Sequence, residues 1–150
     1  MRHNKFISAA IALCVIAFFT TGSVPSASAA TAIPVTITAT FDFANFPDVT
    51  GTFTTTGALT ISGPATMHVD LNPFNGLNPL NGIRAHCVVT LIAPNGTIFI
   101  DQQCQFASPT PKGRWEIVSG TGAYANLNGN GSLTMPPPLT EAMTGVIYLH

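Results

Sequence analysis

Charge is what this chain has least of: five Lys or Arg and six Asp or Glu among 150 residues. Two of the bases, Arg2 and Lys5, stand at the extreme N-terminus, so the remainder sets Arg84, Lys112 and Arg114 against six acids, a net charge of −3 with histidines neutral. Three cations scattered along the sequence cannot neutralise a phosphate backbone, which argues against nucleic acid as a partner. Cysteine is equally sparse, at three residues. The apolar run from Phe6 to Phe19 is too short to span a bilayer. Ser, His and Asp all occur, but without a nucleophile-elbow or zinc-protease spacing, so nothing marks a hydrolase.

What is present at the N-terminus has the form of a secretory leader. Arg2, His3 and Lys5 precede the apolar run, and the small residues Ser26 to Ala30 follow it. Leu13 before Cys14 offers no small residue where a lipoprotein signal would want one. The expectation is a signal peptide over 1–30, cleaved after Ala29 or Ala30. It leaves a single domain, 31–150, that is secreted or periplasmic and has no membrane attachment after cleavage. Loss of Cys14 leaves Cys87 and Cys104, an even pair that in an exported chain reads as one disulfide.

From Ile33 to Leu71, and again from Ile83 to Ala93, apolar or small residues take the odd positions while Thr, Asp, His or Arg mostly take the even ones. That period of two predicts strands with one dry and one wet face. Candidate strands cover 33–43, 49–58, 59–71, 83–93, 98–106, 114–119, 129–135 and 142–149. Eight short strands with brief connections predict an all-β fold, an eight-stranded antiparallel up-and-down β-barrel, with a β-sandwich as the alternative.

Pro94-Asn95-Gly96-Thr97 suits a four-residue hairpin loop closed by Ala93 and Ile98. That register opposes Leu91 to Ile100, Val89 to Gln102, Cys87 to Cys104 and Ala85 to Phe106. A slip of one residue would split the apolar faces. A cross-strand disulfide between Cys87 and Cys104, worth roughly 3 kcal/mol, is the expectation.

Four other features have bland readings. The tandem repeat Asn72-Pro73-Phe74-Asn75-Gly76-Leu77 and Asn78-Pro79-Leu80-Asn81-Gly82-Ile83 reads as a solvated spacer, or as a lid presenting Phe74, Leu77 and Leu80 to a barrel mouth. Gly120-Thr121-Gly122-Ala123-Tyr124-Ala125 matches the alanine form of the dinucleotide fingerprint, but Asn126-Leu127-Asn128-Gly129-Asn130-Gly131 would stop the helix it needs. If Leu71 pairs with Ile83, His68 faces His86 and Asp70 faces Arg84. Such a group could ligate a metal, yet all four are in the solvent phase, and a polar outer face with one ion pair explains them without one. Asn95-Gly96-Thr97 and Asn130-Gly131-Ser132 are glycan acceptor sequences whose simpler meaning is turn chemistry.

The inward phase of the candidate strands carries no acidic or basic residue; Gln102, Thr55 and Ser119 are its obvious polar members. General acid–base catalysis inside the barrel would therefore lack a proton carrier. Gly51 and Gly57 would leave room for a guest.

The stretch from Arg114-Trp115-Glu116-Ile117-Val118-Ser119 through the glycine-rich turn to Gly131 resembles a pattern in secreted bacterial β-barrel proteins of the allene oxide cyclase and dirigent group. The resemblance covers about twenty residues. It implies an eight-stranded barrel with an apolar cavity, often assembled into dimers or trimers, and an activity that confines a reactive polyene or steers radical coupling. No catalytic residue is carried over by it.

The sequence thus predicts an exported barrel that binds a small apolar molecule, with Phe41, Phe43, Phe53, Met67, Leu91, Gln102 and Trp115 lining its cavity; a binder is favoured over an enzyme, and the choice between them stays open. No metal or cofactor is implied. Two other functions fit: a confinement-type cyclase, or an interaction module with a filled core that contacts glycans or proteins. Homo-oligomerisation is compatible with all three.

Overall fold

In the computed structural model, which describes residues 31–72, 83–106, 110–136 and 140–149, the alternating segments become eight strands. They are β1 (Thr31–Asp42), β2 (Asp48–Gly57), β3 (Ser62–Asn72), β4 (Ile83–Ala93), β5 (Gly96–Phe106), β6 (Lys112–Gly120), β7 (Asn128–Thr134) and β8 (Thr140–Leu149). Each pairs antiparallel with the next, and β1 returns to β8 from Thr31 opposite Leu149 to Thr40 opposite Thr140, so the sheet closes in the order β1 to β8. Closure leaves no edge strand with unpaired amides, which a sandwich would have kept. The expected up-and-down barrel is the architecture found. Among the described residues no helix is long and apolar enough to cross a membrane. Residues 1–30, where a leader is expected, and the tandem repeat, with Phe74, Leu77 and Leu80, lie outside the described residues.

Parity decides which side chains enter the barrel. In β1 the odd positions Val35, Ile37, Ala39 and Phe41 are buried and the even ones are not. The same holds in β4, where Ala85, Cys87, Val89, Leu91 and Ala93 face in. The phase flips in β5, whose even members Ile98, Ile100, Gln102 and Cys104 are buried. The inward residues pack as one apolar cluster. Trp115 is its largest member: its indole lies against Gly145, which faces Gly131, and Nε1 donates to the Ser132 and Thr144 carbonyls at 3.1 and 3.3 Å. Thr55, buried as expected, holds a turn: its hydroxyl donates to the Leu59 carbonyl at 2.6 Å and accepts from the Ile61 amide at 3.0 Å.

The fingerprint-like Gly120–Ala125 segment opens no helix beyond a single 3-10 turn, Gly122–Tyr124, with Tyr124 buried. The turn docks on the β4–β5 hairpin through Thr121 N to Thr97 O at 2.8 Å and Ala123 N to Asn95 O at 2.9 Å. Contact is so close that a Cβ on Gly96 would stand 2.1 Å from the Thr121 carbonyl oxygen, and one on Gly122 2.2 Å from that of Asn95. Both glycines have positive φ, +148° and +58°, a region that favours residues without a Cβ. Their role is tight packing of two turns, not phosphate binding.

Four expectations need correction. First, Ala93 pairs with Gly96 across a two-residue Pro94-Asn95 turn, not with Ile98, so Cys87 faces Gln102 and Ala85 faces Cys104. Proline at the second position of a turn with glycine at the fourth favours this tighter closure. The two cysteines sit diagonally, both buried, as free thiols; the expected disulfide is not formed. Second, β3 and β4 are likewise offset by two: Asp70 faces His86, His68 faces Val88 and Arg84 faces Asn72. Third, Ser119 is exposed, because an irregularity between Phe99 and Ile100 opposes Phe99 to Ser119 but Ile100 to Ile117, so parity breaks there. Leu71, at the barrel rim, is also 46% exposed. Fourth, β8 begins at Thr140, two residues earlier than expected, and this brings Glu141 into the inward phase, where it is fully buried.

Candidate functional site

The inward phase is therefore not free of formal charge. Glu141 projects from β8 in step with Met143 and Ile147, and meets Gln102 of β5 across the interior. The Gln102 amide Nε2 donates to Glu141 Oε1 and lies 3.3 Å from the Met143 sulfur. On the other side, the Cys104 thiol approaches Gln102 Oε1 at 3.9 Å. Cys104 also contacts Cys87, and that hydrogen bond, with burial, raises its pKa above the ordinary thiol range. A polar seam, Cys87, Cys104, Gln102 and Glu141, thus crosses an interior that is otherwise apolar but for Thr55 at its turn.

The seam is incomplete at one atom. Glu141 Oε2 has no hydrogen-bond partner among the described residues. An unmatched buried oxygen on an ionisable group is expensive, and native structures contain few. Burial accordingly pushes the Glu141 carboxyl from 4.5 up to about 7, with the Gln102 hydrogen bond opposing the shift. At neutral pH this group divides between a neutral acid that can donate a proton and a carboxylate that can accept one.

Of the expected lining residues, Phe41, Phe53, Met67, Leu91, Gln102 and Trp115 are all buried in the barrel, and Gln102 is the one at the seam. Phe43 is not a strand residue: it opens a 3-10 turn after β1 and packs against the core half-buried. Glu141 is the residue missed. Extending the odd inward phase of Met143 and Ile147 back by two would have found it.

The outer face carries a different arrangement. Asp48, His68, Asp70, His86 and Asp101 run in line across β2 to β5. His68 Nδ1 meets Asp48 at 2.5 Å and its Nε2 meets Asp70 at 3.3 Å. His86 Nε2 meets Asp101 at 2.8 Å, and its Nδ1 lies 4.0 Å from Asp70. The Asp48 hydrogen bond chiefly raises the pKa of His68 above 6.5, with smaller contributions from both carboxylates' charges, against a lowering by desolvation. Among the described residues no group of three or more His, Cys, Asp or Glu is placed to hold a metal ion.

Fold and site together define a closed eight-stranded β-barrel whose apolar interior holds one buried acid with a free oxygen. Comparison with protein-family models, curated proteins and solved structures finds no match.

Proposed function

We propose that this is an exported barrel whose interior takes up one small, largely apolar molecule carrying a hydrogen-bond donor, anchored by Glu141. The observation that carries this reading is the unpartnered Glu141 Oε2 in the apolar interior. Gln102 fixes the carboxyl through its other oxygen, so Oε2 is held in place with its lone pairs unused. A hydroxyl or amine on a guest would satisfy it, while Phe41, Phe53, Leu91 and Trp115 supply the apolar surroundings. An eight-stranded barrel is just wide enough either to be filled by its own side chains or to hold one small guest, and this reading requires the second.

One observation favours a second reading, confinement catalysis of the kind the allene oxide cyclase and dirigent resemblance implies. A carboxyl at about 7 is matched to proton transfer near neutrality, and the site would need little besides shape and that one group.

Native mass spectrometry of the protein purified from its own culture medium tests both. The expected result is a retained small molecule on the wild type that is lost from Glu141→Leu, with the variant still folded. A guest returned chemically altered by the wild type but unaltered by Glu141→Gln supports catalysis. Empty protein from varied extracts would refute the binder and favour an interaction module with a filled core.

A further inference from the structure

Arg84, Lys112 and Arg114, dispersed in sequence, are gathered in space. They are the whole complement of Lys and Arg in residues 31–150, and all three line one groove of about 740 Å³ on the outer face of β4 to β7. Strand registers explain the convergence. Arg84 faces Gln105, Gln105 faces Lys112, and Lys112 faces Thr134. In the adjoining row His86 faces Gln103, Gln103 faces Arg114, and Arg114 faces Ser132. The floor is the backbone of Ala85, Cys104, Gly113 and Leu133, whose parity turns them inward. Among the described residues no Asp or Glu lines the groove. The acids begin in the next row, where Asp101 faces Glu116.

In a domain of net negative charge, placing every strong cation on one patch runs against mutual repulsion, since like charges on neighbouring strands oppose each other. We infer that this groove binds an extended, polyhydroxylated anion, an acidic saccharide whose carboxylates pair with Arg84, Lys112 and Arg114 and whose hydroxyls meet Gln103, Ser132 and Thr134. Two features select this chemistry over a compact oxyanion. The floor amides are committed to the sheet ladder, so no nest of free N–H groups is available for a phosphate. The cations are also spread at the backbone: Arg84 stands two strand spacings, roughly 10 Å, from Lys112 and Arg114, an arrangement that suits an extended ligand better than a compact one. Arg114 is steadied for the task by its bond from Nη2 to Gln103 Oε1 at 3.2 Å. Three cations remain too few for a nucleic-acid strand. This inference rests on the outer face alone and stands or falls independently of the Glu141 reading.

The test is calorimetric titration of the purified protein at low ionic strength with oligogalacturonides, their methyl esters, inorganic phosphate and a single-stranded DNA oligonucleotide. The free acid is expected to bind, and the neutral ester to bind about tenfold more weakly. Lys112→Ser with Arg114→Ser should lower affinity for the acid by about tenfold, without shifting the melting temperature, because both side chains are exposed. Salt should weaken the wild type toward the variant. Equal binding of acid and ester, tighter binding of phosphate or DNA than of the saccharide, or no binding at millimolar concentration would each overturn the inference.

Discussion

The two faces of this one sheet treat carboxylates in opposite ways. Outside, Asp48, Asp70 and Asp101 stand in water beside His68 and His86, and the consequence is a histidine that holds its proton more tightly. Inside, Glu141 has one amide for company, and the consequence is an acid that keeps its own proton up to about 7. The residue types are nearly the same; solvent makes the difference. In water a carboxylate is hydrated and screens or pairs cheaply, whereas in the barrel it must be neutralised or matched. An ionisable group in the second setting weakens the fold, which is why the interior acid, not the more numerous outer ones, is read as functional.

The comparison is broken most forcefully by emptying the interior. Phe53 is 2% exposed in β2, while its neighbour Thr54 points out. Phe53→Ala should cost about 3–5 kcal/mol in urea unfolding, and Thr54→Ala within about 0.5 kcal/mol. Similar losses from both would mean that the barrel wall does not separate two environments.

The next effect tests the acid itself. Because the folded-state pKa of Glu141 is raised from 4.5 to about 7, the folded protein holds a proton that the unfolded chain releases between those values. Its stability contribution is intact below about pH 4.5 and is lost as pH rises through about 7. The full cost above that window is on the order of 3 kcal/mol. Glu141→Gln should therefore gain most of that amount over the wild type at pH 8.5 and little at pH 4, by denaturant midpoints at each pH. A difference that is constant with pH would show that Glu141 does not titrate in this range.

A smaller effect concerns the thiols. Both cysteines are buried, and the Cys104 thiol is raised above the usual range as well, so neither should react with an alkylating reagent at pH 8 in the folded protein. Both should react on unfolding in urea without reductant. A mass two daltons low, with no alkylation after unfolding, would restore the disulfide that the β4–β5 register disfavours.

That register shows where sequence pattern stops being informative. Alternation assigned all eight strands and the inward side of β1, β2, β4 and most of β5, because parity depends only on whether a number is odd or even. Pairing Cys87 with Cys104 or with Gln102 keeps the same faces together, so the hydrophobic pattern is blind to a shift of two. Only the geometry of Pro94-Asn95-Gly96 separates the choices, and the same blindness exchanged His68 for Asp70 opposite His86. Glu141 escaped for another reason: the expected strand began at 142, two residues after the observed start at Thr140, so the inward charge fell just outside it. The cation groove was invisible in principle, since it exists only once four strands are in register.

The smallest predicted effect lies back on the outer face and separates pairing from burial as the origin of a shifted pKa. His68 should titrate above 6.5 by proton NMR, because Asp48 hydrogen-bonds the protonated ring and both Asp48 and Asp70 attract its charge, which outweighs the desolvation that opposes it. The stability this lends is present below the ordinary histidine value and disappears as pH rises through the folded value. Asp48→Asn should remove most of the elevation and Asp70→Asn less, since the Asp48 bond is the leading cause. High salt should shrink what remains, as expected of charges in water, whereas the same salt should leave the Glu141 midpoint nearly in place. If salt moved both groups equally, the two faces of the barrel would be electrostatically alike, and the buried acid would lose its claim to be the site.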